Sequence, residues 1–318
     1  MADQNIPQTR RALRRTGPRK AEFLDEPIPP RGSSDVLIRV RAVSLNYKDV
    51  AMLDDNFPWP APSNIIMGTD IAGEIVWVGD KVSQLAVGDR VVVLHNLDNI
   101  TGREVTFRAL GHNVDGALAT HVVFEEHELV KFPDNLTWAE LTREPGTGGV
   151  SILALVLAAR AGATVIVTSS SDAKLERAKK LGASHVVNYK QNTKWEEEVL
   201  RLTGGLGVDI VIDQGGAATI LQSLQSVKQR GQVSQVGFLS GEGQGDLFRL
   251  VHLLLIKVCT IVGIQVGSKG DLEDMMAFLK HSQLHLDSCI DGVYSFDKSL
   301  EAFNHLRKGA FGKVVIEL

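Results

Sequence analysis

Between Asp35 and Asp134 the apolar residues come in short runs that glycine and proline keep interrupting. Residues 36–43, 72–78, 90–94 and 121–123 are β-rich, and Gly32, Gly68, Gly79, Gly88 and Gly116 punctuate them. Short strands bounded by turn formers predict a compact β-barrel. From Gly146 the grammar changes. A helical pattern over 152–161 leads into a fully apolar strand at 164–169, and the next helix, through Leu175, Ala178 and Leu181, can be capped by Asp172 and ended by Gly182. Strands are then expected at 185–189, 208–213, 232–238 and 259–266, with helices at 195–202, 218–228 and 247–257 between them. Such alternation implies parallel pairing in a doubly wound sheet. Helices near 271–280 and 298–308 and a closing strand at 313–317 finish the chain.

Composition narrows the class. At 318 residues there is room for two cores, and 44% hydrophobic with 23% charged residues is the balance of an ordinary soluble globular protein. A net charge of -4 gives no electrostatic reason to expect nucleic acid as a partner. The two cysteines, Cys259 and Cys289, are too few for a disulfide scaffold and lack zinc-knuckle spacing, so a reducing, cytoplasmic setting is expected. Arg10, Arg11, Arg14, Arg15 and Arg19 lack the apolar run of a secretory signal. They read as a first strand with solvated arginines, with a mitochondrial transit peptide as the alternative. Residues 250–266 are apolar, but Lys257 interrupts them and no membrane span is expected. Asn99 and Asn135 open glycosylation patterns that matter only in a secreted protein.

Gly146-Thr147-Gly148-Gly149-Val150-Ser151 opens the first helix of the second half. Glycines there let the backbone approach a pyrophosphate, whose charge the helix N-terminus stabilises. Such a loop should follow a buried apolar strand. The preceding Leu141-Thr142-Arg143-Glu144-Pro145 has two opposite charges and a proline that cannot donate to a central ladder. The first strand of the sheet is therefore expected to be absent or supplied from elsewhere. At the end of the next strand, Ser169, Ser170 and Ser171 precede Lys174, and no acid stands where one would accept the ribose hydroxyls of NAD. A lysine there can pair with a 2′-phosphate, so the expected cofactor is NADPH. Tyr189 can stack beside the adenine ribose.

Several ordered motifs carry a family resemblance. They are Ala42-Val43-Ser44-Leu45-Asn46-Tyr47-Lys48-Asp49, Gly68-Thr69-Asp70-Ile71-Ala72-Gly73-Glu74, Val87-Gly88-Asp89-Arg90, the glycine loop, and Lys179-Lys180-Leu181-Gly182-Ala183. Nearly end to end, the chain resembles the medium-chain dehydrogenases/reductases, specifically their quinone oxidoreductase-like branch. The resemblance implies a GroES-like barrel over 1–134, completed by about 271–318, and a Rossmann NADP-binding domain over 135–270, with the active-site cleft between them. It implies hydride transfer from NADPH to a quinone or an α,β-unsaturated carbonyl or aldehyde, with Asn46, Tyr47 and Asp49 as catalytic residues. It places Gly146, Gly148, Gly149, Val150, Ser170, Lys174, Tyr189, Gly237, Phe238, Gly263, Ile264 and Lys313 at the cofactor, and it favours a homodimer formed by edge pairing of sheets. Zinc-dependent members have cysteine where Asn46 stands and histidine where Thr69 stands, so no metal is expected. His95, His112, His121 and His127 are scattered in β-rich segments and read as structural. Family members also carry a helix and the first Rossmann strand before the glycine loop, about 30 residues by usual element lengths. Here only 141–145 intervene, which reads as a truncation and leaves a second expectation: a catalytically impaired relative acting as a binding or regulatory protein.

Overall fold

The computed structural model describes residues 6–59, 62–141, 149–237 and 246–318. They form two compact units, Met1–Gly149 with Val266–Leu318, and Val150–Gln265.

The first unit begins with a hairpin, β1 (Thr9–Gly17) and β2 (Lys20–Pro27). Arg10, Arg14 and Arg15 of β1 are drawn inward, contrary to expectation, while the Arg11 side chain keeps 42% of its surface exposed. Arg10 and Arg14 both ion-pair with Glu26, at 2.7 and 2.6 Å, and the buried Arg15 donates to the Met52 carbonyl at 3.1 Å. Arg11 lies over the Phe23 ring at 4.3 Å. The three inward guanidiniums are received there by a carboxylate or a carbonyl. β3 (Asp35–Leu45) leads directly into a short helix, α1 (Tyr47–Leu53). β4 (Asp70–Val78), β5 (Arg90–Val93), β6 (His121–Glu125), β7 (Leu129–Lys131) and α2 (Trp138–Leu141) follow.

The second unit is built from α3 (Gly149–Arg160), β8 (Ile166–Ser169), α4 (Asp172–Lys180), β9 (His185–Asn188), α5 (Trp195–Leu202), β10 (Val208–Asp213), α6 (Ile220–Ser226), β11 (Val227–Gln235), α7 (Leu247–Lys257) and β12 (Thr260–Gly263). All its strand pairs are parallel, as the alternation predicted. The helix expected over 218–228 stops earlier. Val227 already pairs with Val208, and Arg230 adopts a left-handed φ of 64° before the ladder resumes at Ile210 and Gln232. No described helix is long and apolar enough to cross a membrane.

The chain then returns to the first unit through α8 (Lys269–Ser282), β13 (Ile290–Ser295), α9 (Ser299–Arg307) and β14 (Lys313–Glu317). A seven-stranded sheet results, in the order β13-β14-β3-β4-β5-β7, with β6 also paired to β3. β14 runs antiparallel to β3, with Val314 opposite Leu45 and Ile316 opposite Val43, and all four are buried. The β-rich half therefore needs the C-terminal strand to complete its core. Phe303 of α9, 1% exposed, packs in that same core.

In the second unit the described strands make two separate sheets, β8-β9 and β10-β11-β12. A doubly wound sheet joins such halves through its first strand, and no described strand joins them here. Residues 142–148, where the gap was expected, lie outside the described residues. Ile210 and Ile212 on β10 are 60% and 44% exposed, whereas Val233 on β11 is fully buried. Leu224→Ala, at a fully buried site of α6, should cost about 2–5 kcal/mol. Ile210→Ala should cost about 1 kcal/mol or less, because little apolar area is lost from the interior. Urea melts of both variants check the difference, and equal losses would mean that β10 is covered after all.

Candidate functional site

Four buried polar residues converge where β3 passes into α1 and β4 begins. The Asn46 backbone N–H donates to Asp49 Oδ2 at 2.7 Å, and the Asn46 side-chain Nδ2 donates to Thr69 Oγ1 at 3.2 Å. The Thr69 hydroxyl in turn lies 3.3 Å from Asp49 Oδ1. From β14 the Lys313 ammonium donates to Asn46 Oδ1 at 2.6 Å and to Asp70 Oδ2 at 2.7 Å. Asn46 is therefore held on both ends of its amide. Lys313, expected at the cofactor, is instead 3% exposed and engaged with two barrel residues. Gly149 lies against its aliphatic stem, where a β-carbon would stand 2.7 Å from Lys313 Cε and push that side chain aside.

Asp49 is fully buried, with its carboxylate accepting the Asn46 N–H and lying against the Thr69 hydroxyl. Burial pushes its carboxyl up to about 6, against the pull of Lys48 and the Asn46 N–H. Tyr47, at the first position of α1, is 47% exposed and is the open member of the expected trio.

Lys48, which the sequence reading passed over, donates to the Leu110 carbonyl at 2.8 Å and lies 3.3 Å from His95 Nε2. A charged ammonium can only donate, so this nitrogen of His95 is the acceptor and the ring is neutral. Burial first, and the Lys48 charge second, hold His95 well below the usual histidine range. The same two causes lower His112. Two histidines that look scattered in sequence thus both feel the charge of one lysine. The signal available was position alone: Lys48 stands between Tyr47 and Asp49 in the quoted motif.

A zinc ion at the positions of the family's ligands would require sulfur or imidazole donors. Asn46 and Thr69 offer an amide and a hydroxyl already bonded to each other, and the Asn46 oxygen already carries the Lys313 cation. The residues present do not fit a catalytic zinc there. Cys259 and Cys289 are both buried and free. Among the described residues Glu140, His285 and Asp287 bring one ligand-type atom each within 4.8 Å of one another. The Glu140 carboxylate, however, accepts the Thr137 and Leu286 backbone N–H groups at 2.7 and 2.6 Å, tying α2 to the segment after α8.

In the second unit, Ser170, Lys174 and Tyr189 come together at the C-terminal ends of β8 and β9, where ligands bind such sheets. The Tyr189 N–H donates to the Ser169 carbonyl at 3.1 Å. The cap of α4 is Ser171, which accepts the Lys174 N–H at 3.4 Å, and not Asp172 as expected. Asp172 is instead the first helical residue, and its carboxylate takes Asn188 Nδ2 at 2.6 Å and Gln191 Nε2 at 2.9 Å. Val150 is buried in the first turn of α3, and Ser151 beside it accepts Gln214 Nε2 at 2.6 Å from beyond β10. Gly237 passes close to that segment, where a β-carbon would lie 2.8 Å from the Gln214 oxygen. Gly263 is in open space at the end of β12, and Ile264 is 44% exposed. Gly146, Gly148 and Phe238 lie outside the described residues.

Known proteins resemble this chain along nearly its whole length. The alcohol dehydrogenase GroES-like domain matches residues 32–134, and the zinc-binding dehydrogenase domain matches 149–281. A zinc-type alcohol dehydrogenase-like protein of Schizosaccharomyces pombe is 35% identical over 316 residues, taking in 89% of this chain and 91% of that protein. L-threonine 3-dehydrogenase of Pyrococcus horikoshii is 31% identical over 340 residues, covering 94% of this chain and 95% of its own. A solved NAD-dependent alcohol dehydrogenase superposes with a TM-score of 0.84 at 28% identity, over 97% of this chain and 99% of its own. The chain belongs to the medium-chain, zinc-type alcohol dehydrogenase family, whose members are nicotinamide-dependent oxidoreductases.

Proposed function

We propose that this chain is an NADPH-dependent oxidoreductase that passes a hydride to a quinone or to an α,β-unsaturated carbonyl or aldehyde, without zinc. The observation that carries this reading is the Asn46, Thr69 and Asp49 group, where hydrogen bonds occupy the positions that would have to hold a metal. NADPH, when bound, supplies the hydride from its C4. This chain's own residues must then orient the acceptor and stabilise charge on its oxygen by hydrogen bonding. Tyr47 is open to do so, Asn46 is fixed in place by Lys313 and Thr69, and Asp49 acts beneath them as a positioning residue. Stopped-flow loss of NADPH absorbance against a panel of quinones and enones tests the reading. Turnover with at least one conjugated acceptor in metal-chelated buffer is expected, and no turnover with any would sink it.

The preference for NADPH rests on Ser170 and Lys174 at the end of β8, and on Asp172 being engaged by Asn188 and Gln191 instead of standing open to a ribose. Lys174→Ala should weaken NADPH binding about 10- to 100-fold, the worth of one hydrogen bond to a charged group. NADH, which has no 2′-phosphate, should bind nearly as before. Titrations of both nucleotides decide, and equal loss would reject the assignment.

The separation of β8-β9 from β10-β11-β12 favours a second reading, an impaired relative that binds nucleotide weakly. A phosphate cradle works by rigid placement of its N–H groups, and the strand that fixes the loop gives that rigidity. Under this reading millimolar NADPH leaves the melting temperature nearly unchanged, whereas a ligand that binds the native state tightly raises it in proportion to its occupancy. A large NADPH-dependent rise would defeat the second reading and leave the first.

A further inference from the structure

Asp213, the last residue of β10, is a buried carboxylate, 4% exposed. Its Oδ1 accepts the Gly216 backbone N–H at 2.9 Å and the Thr219 hydroxyl at 2.8 Å, and its Oδ2 accepts the Ser223 hydroxyl at 2.6 Å. These donors are all neutral, and all belong to the turn after β10 or to α6. Thr219 stands at the N-cap position of α6, yet its hydroxyl makes no cap bond and goes to Asp213 instead. A threonine there ordinarily caps its own helix. The carboxylate thus fixes the turn from 214 to 219, which Gly216 completes with a left-handed φ of 87°.

Gln235 extends that hold across the sheet. It faces Asp213 in the β10-β11 ladder and Gly263 in the β11-β12 ladder. Its side-chain Nε2 donates to the Gly237 carbonyl at 2.6 Å and to the Asp213 carbonyl at 3.2 Å, and lies 3.4 Å from Asp213 Oδ1. Its own carbonyl accepts the Ile264 N–H at 2.9 Å. One aspartate and one glutamine therefore join the ends of three strands. Gly237 is held so close to the turn that a β-carbon there would lie 2.8 Å from the Gln214 oxygen. At Gly263, by contrast, no described atom lies within 4 Å of where a β-carbon would stand, and Ile264 beside it is 44% exposed. A rigid floor with an open edge free of side chains fits a flat ring lying against it.

The run β10-α6-β11-α7-β12 is one complete βαβαβ half with all strands parallel, the unit that takes a mononucleotide at the C-terminal ends of its strands. Under the NADPH reading the 2′-phosphate end of the cofactor falls to Lys174, at the end of β8. We propose that Asp213 and Gln235 are positioning residues for the other end, the nicotinamide ribonucleotide, and that they act by fixing Gly237, Ile264 and the 214–219 turn as one surface. The inference rests on the NADPH reading and adds to it the residues that shape the cofactor's reactive end. Neither side chain has to touch the ring. Their hydrogen bonds set where the surrounding backbone stands, and hydride transfer is sensitive to small displacements of what holds the donor carbon.

Half-cofactors separate this role from plain support of the fold. The full chain is titrated by ligand-observed NMR with adenosine 2′,5′-bisphosphate, which carries only the phosphate end, and with reduced nicotinamide mononucleotide, which carries only the other. Gln235→Leu should weaken the mononucleotide about 3- to 10-fold, the worth of one hydrogen bond. Asp213→Ala should weaken it about tenfold or more, because three donors lose one acceptor group. Both should leave the bisphosphate within about twofold of wild type, since its site is independent of theirs. Asp213→Asn, whose amide oxygen still accepts from Gly216 and Thr219, should recover most of the loss. Mononucleotide binding unchanged in Gln235→Leu and Asp213→Ala, or lost in step with bisphosphate binding, would overturn the inference and leave the NADPH reading standing. Gln235→Leu disturbs no buried charge and keeps the test decisive if Asp213→Ala does not fold. A wild-type chain that takes the bisphosphate but no mononucleotide at millimolar concentration would also overturn the inference, and one that takes neither would overturn the NADPH reading with it.

Discussion

The ion pair between Lys313 and Asp70 is the constraint on which the rest of the site depends. Both residues are almost fully buried, and a buried charge without a partner costs several kcal/mol. Among the described residues the other oxygen of Asp70 has no hydrogen-bond partner, and the lysine is the cation that balances that carboxylate in the interior. Because Lys313 opens β14, satisfying Asp70 fixes the position of the last strand against β3, and with it the pairs of Val314 with Leu45 and Ile316 with Val43. The same ammonium holds the Asn46 oxygen, so strand register and amide orientation are set by one nitrogen. Breaking the pair from either side would leave the partner charged and buried, which is worse than never having had it.

Dryness around that pair explains why neighbouring groups shift in opposite directions. Burial disfavours the charged form of any group, so the Asp49 acid rises to about 6 while the imidazole of His95 is driven well below its ordinary value. Lys48 reinforces the second effect and opposes the first, since a cation favours a carboxylate and repels a proton on histidine. The neutral His95 ring thus accepts from Lys48, while Lys313 holds the Asn46 oxygen from β14.

How much of this could be read in the sequence follows from what each feature depends on. β3 and β4 were located to within about two residues because apolar alternation and turn formers are local signals. β2 and β13 escaped, because Glu22, Asp25 and Glu26 in one and Asp291 and Gly292 in the other interrupt the apolar pattern. α1 is seven residues, too short for its periodicity to stand apart from the strand before it. Asn46 and Asp49 were named from their motif, but their roles depend on Thr69 and Lys313, and no local pattern links Asn46 to a residue 267 positions away. The same holds for Lys48 and His95, which meet only because the barrel folds one against the other. The arginines of β1 were misplaced for the related reason that a charge pattern does not show where its counter-charges lie; Glu26 and Asp115 are supplied by other parts of the fold.

The two sheets that the described strands of the second unit form raise a different physical question, namely what buries the apolar face of each. For β8-β9 the answer is α3 and α4: Leu155, Ala178 and Ala183 are buried together, with Val165, Val167 and Val186 packed on them. For β10-β11-β12 it is α6 and α7, through Leu224, Val227, Val233 and Leu253. Each half thus buries one small core of its own, and neither core extends to Ile210 or Ile212. The polar link between Gln214 and Ser151 ties the end of β10 to α3 but buries no apolar area. Small cores give little net stability after chain entropy is offset, so each half leans on the helices that cover it. Catalysis on such a scaffold depends on whether ligand binding supplies the rigidity that an intervening strand gives a continuous sheet, because hydride transfer requires the donor carbon to be held within a few tenths of an ångström of its productive position.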